Sequence, residues 1–261
     1  MEEIRYRSIG VIRTPFASPR GVPIQPAGAK GVVGRVELDP GLVDGLKDRF
    51  TCISYDLRGH GESPLPEGRF DLDDLVDDLE ALREKLGVER AHFAGHSLGG
   101  MIGPRYALRY PDRVKSLGLW STAAFRTEDD SAKVMGVVAA MRAKGIGQVL
   151  DTLTARWFTD AFCAAHPEVI DWRKKQVMDT PSDVFLNVFD IYAECEMAPW
   201  LHEVTAPAQI ITGEHDGGCI PRLNRLIQAA MPGSELVILP ELKHAIFIEA
   251  TDQALPHVRR F

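Results

Sequence analysis

The chain has 261 residues, 45% of them hydrophobic and 26% charged, and a formal net charge of −7. That length suits one large domain or one domain with an insertion, and the composition is that of an ordinary globular protein. The acidic balance argues against nucleic acid as the main partner of the whole chain, and no apolar run approaches the length of a membrane span. Cys52, Cys163, Cys195 and Cys219 are widely spread with no C-x-x-C pair. With a Met-Glu-Glu start lacking a secretory pattern, they read as reduced thiols of a cytoplasmic protein.

Residues 1–36 carry six Lys/Arg against two acids. Residues 6–14 and 34–38 read as strands. Pro15, Pro19, Pro23 and Pro26 between them cannot donate to a ladder and mark loop. Residues 50–55 are β-rich and run into a Gly-rich loop ending at Ser63-Pro64. Residues 70–86 place Leu72, Leu75, Val76, Leu79, Leu82 and Leu86 at helical spacing. The acids of that helix (Asp71, Asp73, Asp74, Asp77, Asp78, Glu80) read as a solvated face, because a straight helix lacks the turn geometry of metal loops. Gly87 closes it.

An apolar run, residues 91–94, precedes Gly95-His96-Ser97-Leu98-Gly99-Gly100, and residues 101–110 read as a helix. A strand at 114–120 follows. Residues 125–198 then break the alternation with helices at 131–144, 146–158, 167–178 and 182–196, which predicts an inserted helical lid. Alternation resumes with a strand at 208–213, a helix at 221–231, a strand at 235–239 and a final helix within 245–258. The expected fold is α/β: a mostly parallel sheet covered by helices on both faces.

The G-x-S-x-G string between strand and helix has the form of a nucleophile elbow, with Ser97 at the tip of a turn too tight for a Cβ at Gly95 or Gly99. The helix start leaves the Leu98 N–H as a donor for an oxyanion. Serine needs a base, and the base needs an acid to orient it. Asp216, in GEHDGG just past a strand, is the candidate acid. His244, just past the next strand, is the candidate base. The order Ser, Asp, His is the one such elbows use. Either residue alone is equally readable as a turn aspartate or a surface histidine. His215 suits a turn, His60 a structural loop and His92 a packed strand position, and His96 is the variable position of the elbow. No His/Cys cluster has zinc spacing, so no metal is expected, and no cofactor is implied.

On the strings YDLRGHGES, GHSLGG, the Gly-x-x-Asp acid loop and the terminal histidine, residues 50–261 resemble the α/β-hydrolase superfamily. GHSLGGMIG, STAAFRT, ARWFTDAF and YAECE resemble 3-oxoadipate enol-lactonases and nearby carboxylic-ester hydrolases. That resemblance implies a small-molecule ester or lactone substrate, with Arg156 and Trp157 meeting a substrate carboxylate; the alternative is that Arg156 lies on the lid surface and Trp157 packs its core. Residues 1–49, on YRSIGVIRTPF, GVPIQPAGAKGVVGRVEL and GLVDGLKD, resemble the start of the TsaA-like (TrmO-type) family of tRNA methyltransferases that use S-adenosylmethionine. The chain then divides into a TsaA-like front at 1–49, a hydrolase core at 50–124 and 199–261, and a lid at 125–198. On this reading it is a chimera lacking the first hydrolase strands and the His-Gly loop that supplies a second oxyanion donor. Its alternative function is that of an impaired scaffold, and behind that an RNA-modification-related role through the basic N-terminal fragment, which the net charge and the truncated motif disfavour. Residues 9–14 or 32–38 would have to fill the gap beside the elbow strand, with Gly31 or Gly34 turned toward Ser97.

Overall fold

The computed structural model describes residues 10–13, 40–61 and 63–261. In chain order the elements are β1 (Gly10–Arg13), α1 (Pro40–Leu46), β2 (Thr51–Ser54), α2 (Leu72–Lys85), β3 (Ala91–His96), α3 (Gly99–Arg109) and β4 (Val114–Trp120). A helical block follows: α4 (Glu128–Lys144), α5 (Ile146–Trp157), α6 (Asp160–Ala165), α7 (Pro167–Asp179) and α8 (Ser182–Glu194). The chain ends with β5 (Ala208–Gly213), α9 (Pro221–Ala230), β6 (Glu235–Leu239), α10 (Ile246–Glu249) and α11 (Thr251–Arg260).

The six strands form one sheet in the order β2-β1-β3-β4-β5-β6. β3, β4, β5 and β6 are parallel neighbours. β1 runs antiparallel to both β2 and β3, pairing Val11 with Ile53 on one side and with Phe93 on the other. The gap beside the elbow strand is therefore filled by residues 10–13, within the first of the two stretches expected there. It is filled against the direction of every other strand. The other stretch, 32–38, and Gly31 and Gly34 lie outside the described residues.

Side-chain alternation along the strands makes two cores. Phe93, Leu119 and Ile210 face α2, α3 and α9, packing with Leu75, Leu79, Met101, Ile102, Tyr106 and Ile227. Their neighbours Ala94, Trp120 and Ile211 face the other way, onto Leu42 and Leu46 of α1 and Ile246, Phe247 and Ala254 of α10 and α11. Period-two alternation with apolar residues on both faces is what a sheet covered on both sides requires. The helical block has its own core of Val138, Met141, Leu150, Leu153, Val177 and Phe185.

Helix α1, inside the segment 1–49, packs its Leu42 and Leu46 into the core shared with α10 and α11. One sequence expectation needs correction: the acids of α2 are not simply a solvated face. Asp78 is buried and takes two hydrogen bonds from Arg58, at 2.7 Å each. Asp73 is paired with Arg105 of α3 at 2.6 and 2.8 Å. Asp71 does cap α2, in a capping box with Asp74. Periodicity reports which face is apolar, and an arginine two elements away is invisible to it.

Candidate active site

Ser97 sits between β3 and α3 with φ +56°, a left-handed conformation rare outside glycine and asparagine. The turn is held by Ser97 N–H donating to Trp120 O at 2.8 Å and Gly100 N–H donating to Ser97 O at 2.9 Å. Gly95 is indispensable here. A Cβ on it would lie 2.7 Å from Gly99 Cα and nearer still to the Gly99 carbonyl. The elbow thus has the close strand–helix approach that its glycines predict. Leu98 directly precedes the first residue of α3, so its N–H is among those a helix leaves without an internal acceptor.

The other two residues come from the ends of β5 and β6. His244 Nδ1–H donates to Asp216 Oδ2 at 2.7 Å. Asp216 Oδ1 accepts from the backbone N–H groups of Gly218 and Cys219, at 2.9 and 2.8 Å. Burial opposes charge on Asp216, yet the His244 partner and these N–H donors hold its carboxyl below the usual carboxylate range. Burial also opposes charge on His244. The Asp216 carboxylate outweighs it and raises the imidazole above its ordinary value. Gly213 makes this loop pair possible, since its Cα packs directly against the backbone of Leu242 and Lys243.

His96, taken from sequence as the variable elbow position, has a structural task. Its Nε2–H donates to the carbonyl of His244 at 2.8 Å, and its ring lies 4.5 Å from the His244 ring. Ser121 Oγ–H donates to the same carbonyl at 3.2 Å. Burial first, and then His244, keep His96 well below its ordinary value and hence neutral. The remaining histidines fall as expected. His215 is exposed, His60 Nδ1–H donates to Arg58 O at 3.1 Å, and His92 meets Ser116 Oγ at 2.7 Å.

Arg156 is exposed and Trp157 half-buried, with the Arg173 guanidinium 5.4 Å from its ring centre. The end of α5 is nonetheless tied to the histidine loop. Ala245 N–H donates to Trp157 O at 2.8 Å, and Lys243 Nζ donates to Ala155 O at 2.9 Å. STAAFRT and YAECE also meet, as Glu196 accepts from the N–H groups of Phe125 and Arg126 at 2.8 and 3.2 Å.

Sequence reasoning missed Cys219. Its Sγ lies 3.3 Å from Tyr192 Oη, and ligand atoms of Asp216, Cys219 and His244 all fall within 4.8 Å of one another. The sequence cue is only D-x-x-C. The histidine arrives from another loop, so no local spacing reveals the group.

A family model described as "alpha/beta hydrolase fold" matches residues 29–158, about half of the chain. A solved enol-lactonase from Burkholderia xenovorans superposes with a TM-score of 0.77 at 26% identity, covering 85% of this chain and 84% of that one. The chain has the α/β-hydrolase fold. This bears out the superfamily resemblance read from residues 50–261. 3-Oxoadipate enol-lactonase 2 of Acinetobacter baylyi is 29% identical over 171 residues, or 66% of this chain and 63% of that protein. Enol-lactonase 1 of the same organism is 27% identical, over 67% of this chain and 64% of that protein. The match to this hydrolase-fold protein thus spans somewhat under two thirds of those relatives' lengths. The TsaA-like reading of residues 1–49, and with it the chimera, gains no support. The hydrolase-fold match begins at residue 29, inside that segment, and none of these relatives is a methyltransferase. Among the described residues no helix is long and apolar enough to cross a membrane.

Proposed function

We propose that the protein is a serine hydrolase that cleaves a small carboxylic ester or lactone through an acyl-enzyme on Ser97. The observations that support this are the 2.7 Å Asp216–His244 hydrogen bond, the elbow serine at φ +56°, and the 2.8 Å hydrogen bond from its neighbour His96 to the His244 carbonyl. His244 takes the Ser97 proton as the hydroxyl attacks the carbonyl, and returns it to the leaving oxygen. The ester bond breaks as the acyl–oxygen bond to Ser97 forms, and water, deprotonated by His244, then releases the acid. Asp216 holds the imidazole with Nε2 as its free acceptor, and the Leu98 N–H stabilises the tetrahedral oxyanion. No step in this scheme uses a cofactor.

The two enol-lactonases of Acinetobacter baylyi and the Burkholderia structure support a lactone bearing a carboxylate as the substrate class. In this reading residues 125–198 act as a lid over Ser97. Arg156 and Trp157 contact the acid end of the substrate, consistent with the hydrogen bond from Ala245 to Trp157 that ties them to the histidine loop. The four free cysteines fit a cytoplasmic setting. Continuity of the sheet across the gap next to β3 speaks against an impaired scaffold.

Labelling with a fluorophosphonate, alongside hydrolysis of p-nitrophenyl acetate, tests the proposal. The wild type is expected to label and turn over, and Ser97→Ala to do neither. Equal labelling of both, or a folded wild type that is inert to both reagents, overturns it.

A further inference from the structure

We propose that Asp216, Cys219 and His244 form a binding site for a thiol-seeking divalent cation of the Zn²⁺ class, and that a cation there switches the hydrolase off. The inhibitory half rests on the function proposed above; the binding half does not.

The three side chains supply a carboxylate oxygen, a thiol sulfur and an imidazole nitrogen, all within 4.8 Å of one another. A cation centred among atoms so spaced sits at most about 2.8 Å from each, and Zn²⁺ needs about 2.0–2.3 Å, so each ligand has to close in by only about half an ångström. A mixed S, N, O set is what zinc accepts, whereas calcium and magnesium want oxygen alone.

The scaffold is already ordered for the purpose. The Cys219 carbonyl accepts from Thr212 Oγ1–H at 2.9 Å and from Asn224 Nδ2–H at 2.7 Å, which fixes the residue's backbone. Asp216 is fixed by the two backbone N–H groups on its Oδ1, and the His244 carbonyl by His96 and Ser121. Asp216 and Cys219 are almost wholly buried, while the His244 side chain keeps 16% of its surface, so a cation enters past the imidazole. Binding is simple exchange. Cys219 loses its thiol proton to solvent, the proton that His244 Nδ1 shares with Asp216 passes through water to Nε2 so that the imidazole stays neutral, and nothing is oxidised. The imidazole is then a ligand held on the metal and no longer relays protons for Ser97.

The experiment uses the full-length chain, wild type and Cys219→Ser, with Cys219→Ala as the second variant should serine disturb the fold by circular dichroism. Zn²⁺ is titrated against a chromophoric chelator, and Co²⁺ is added separately to look for the near-ultraviolet sulfur-to-cobalt band. Wild type is expected to take up one Zn²⁺ per chain and show the band. The Cys219 variants should bind at least ~100-fold more weakly without it. In the p-nitrophenyl acetate assay, Zn²⁺ should abolish wild-type turnover and EDTA restore it. Each variant should keep more than half of its own metal-free rate at the same Zn²⁺ concentration. Equal Zn²⁺ binding or equal inhibition in wild type and variants overturns the inference, as does a wild type that binds no Zn²⁺. If the chain proves inert to esters, the chelator and cobalt readings still decide the site.

Discussion

Replacing Gly213 with alanine drives a methyl group into the loop that carries His244. The new Cβ would sit 2.8 Å from the Leu242 carbonyl carbon, and nearer still to the carbonyl oxygens of Leu242 and Lys243. The tightest contact, with the Lys243 carbonyl oxygen, lies well inside the 3.0 Å below which a Cβ essentially never approaches another heavy atom. The two backbones therefore have to part by roughly 0.9 Å. The movement falls on His215 N–H, which donates to Leu242 O at 2.8 Å, and one residue further on it reaches His244. Overpacking of this kind costs about 1–3 kcal/mol. At roughly 2–4 °C per kcal/mol for a chain of this size, the melting temperature should fall by several degrees. A misplacement of about 1 Å in catalytic geometry costs around 10²-fold, so roughly 0.9 Å should cost up to about a hundredfold, and at least tenfold, in kcat/KM for a p-nitrophenyl ester. Gly217→Ala is the internal control. It lies in the same loop, and its added Cβ meets nothing within 4 Å. Unchanged melting and turnover in Gly213→Ala, or equal losses in both variants, would refute the reasoning.

Other outcomes follow from the same geometry. His244 accepts a proton only when neutral, and Asp216 raises its pKa, so kcat/KM should fall as pH drops through a value above the ordinary imidazole figure of about 6.5. Asp216→Asn should move that limb to lower pH and cut kcat by about 10⁴; a pH profile identical to wild type contradicts the pairing. Arg58→Met leaves the buried Asp78 carboxylate without its two 2.7 Å hydrogen bonds and should cost about 3 kcal/mol by urea denaturation. A loss below about 1 kcal/mol would place that pair among weak surface bridges. Arg156→Ala should raise KM for a carboxylate-bearing lactone about tenfold with kcat unchanged, and leave p-nitrophenyl acetate unaffected; equal effects on both substrates remove Arg156 from the binding site.

The local geometry of the candidate site was largely legible because its cues are local. Gly95 and Gly99 announce an approach that only glycine permits, and the strand and helix on either side are strongly periodic. Asp216 and His244 stand just beyond β5 and β6, where parallel sheets gather their functional loops. Legibility failed wherever partners are distant in sequence. The Arg58–Asp78 pair, the double hydrogen bond onto the His244 carbonyl and the approach of Cys219 to the imidazole all join separate loops or elements. The six-residue helix α6 also escaped, being too short to show a period. The direction of β1 was illegible for another reason. Alternation of side chains says which face a strand covers, but is the same read forwards or backwards.

The placement of β1 also sets the order in which this protein can be assembled. Val11 leaves the ribosome before both of its partners, since Ile53 and Phe93 emerge 42 and 82 residues later. A chain growing at about 5–20 residues per second leaves that strand unpaired for several seconds or more. Closing so long a loop also carries an entropic cost before any ladder bond repays it. The sheet on which Ser97 stands is thus completed by a strand made earlier than both of its neighbours, and only after the elbow strand has been made. During that interval the edges of β1, and of β2 once it has been made, are open to pairing with another molecule, and a chaperone has the most to contribute.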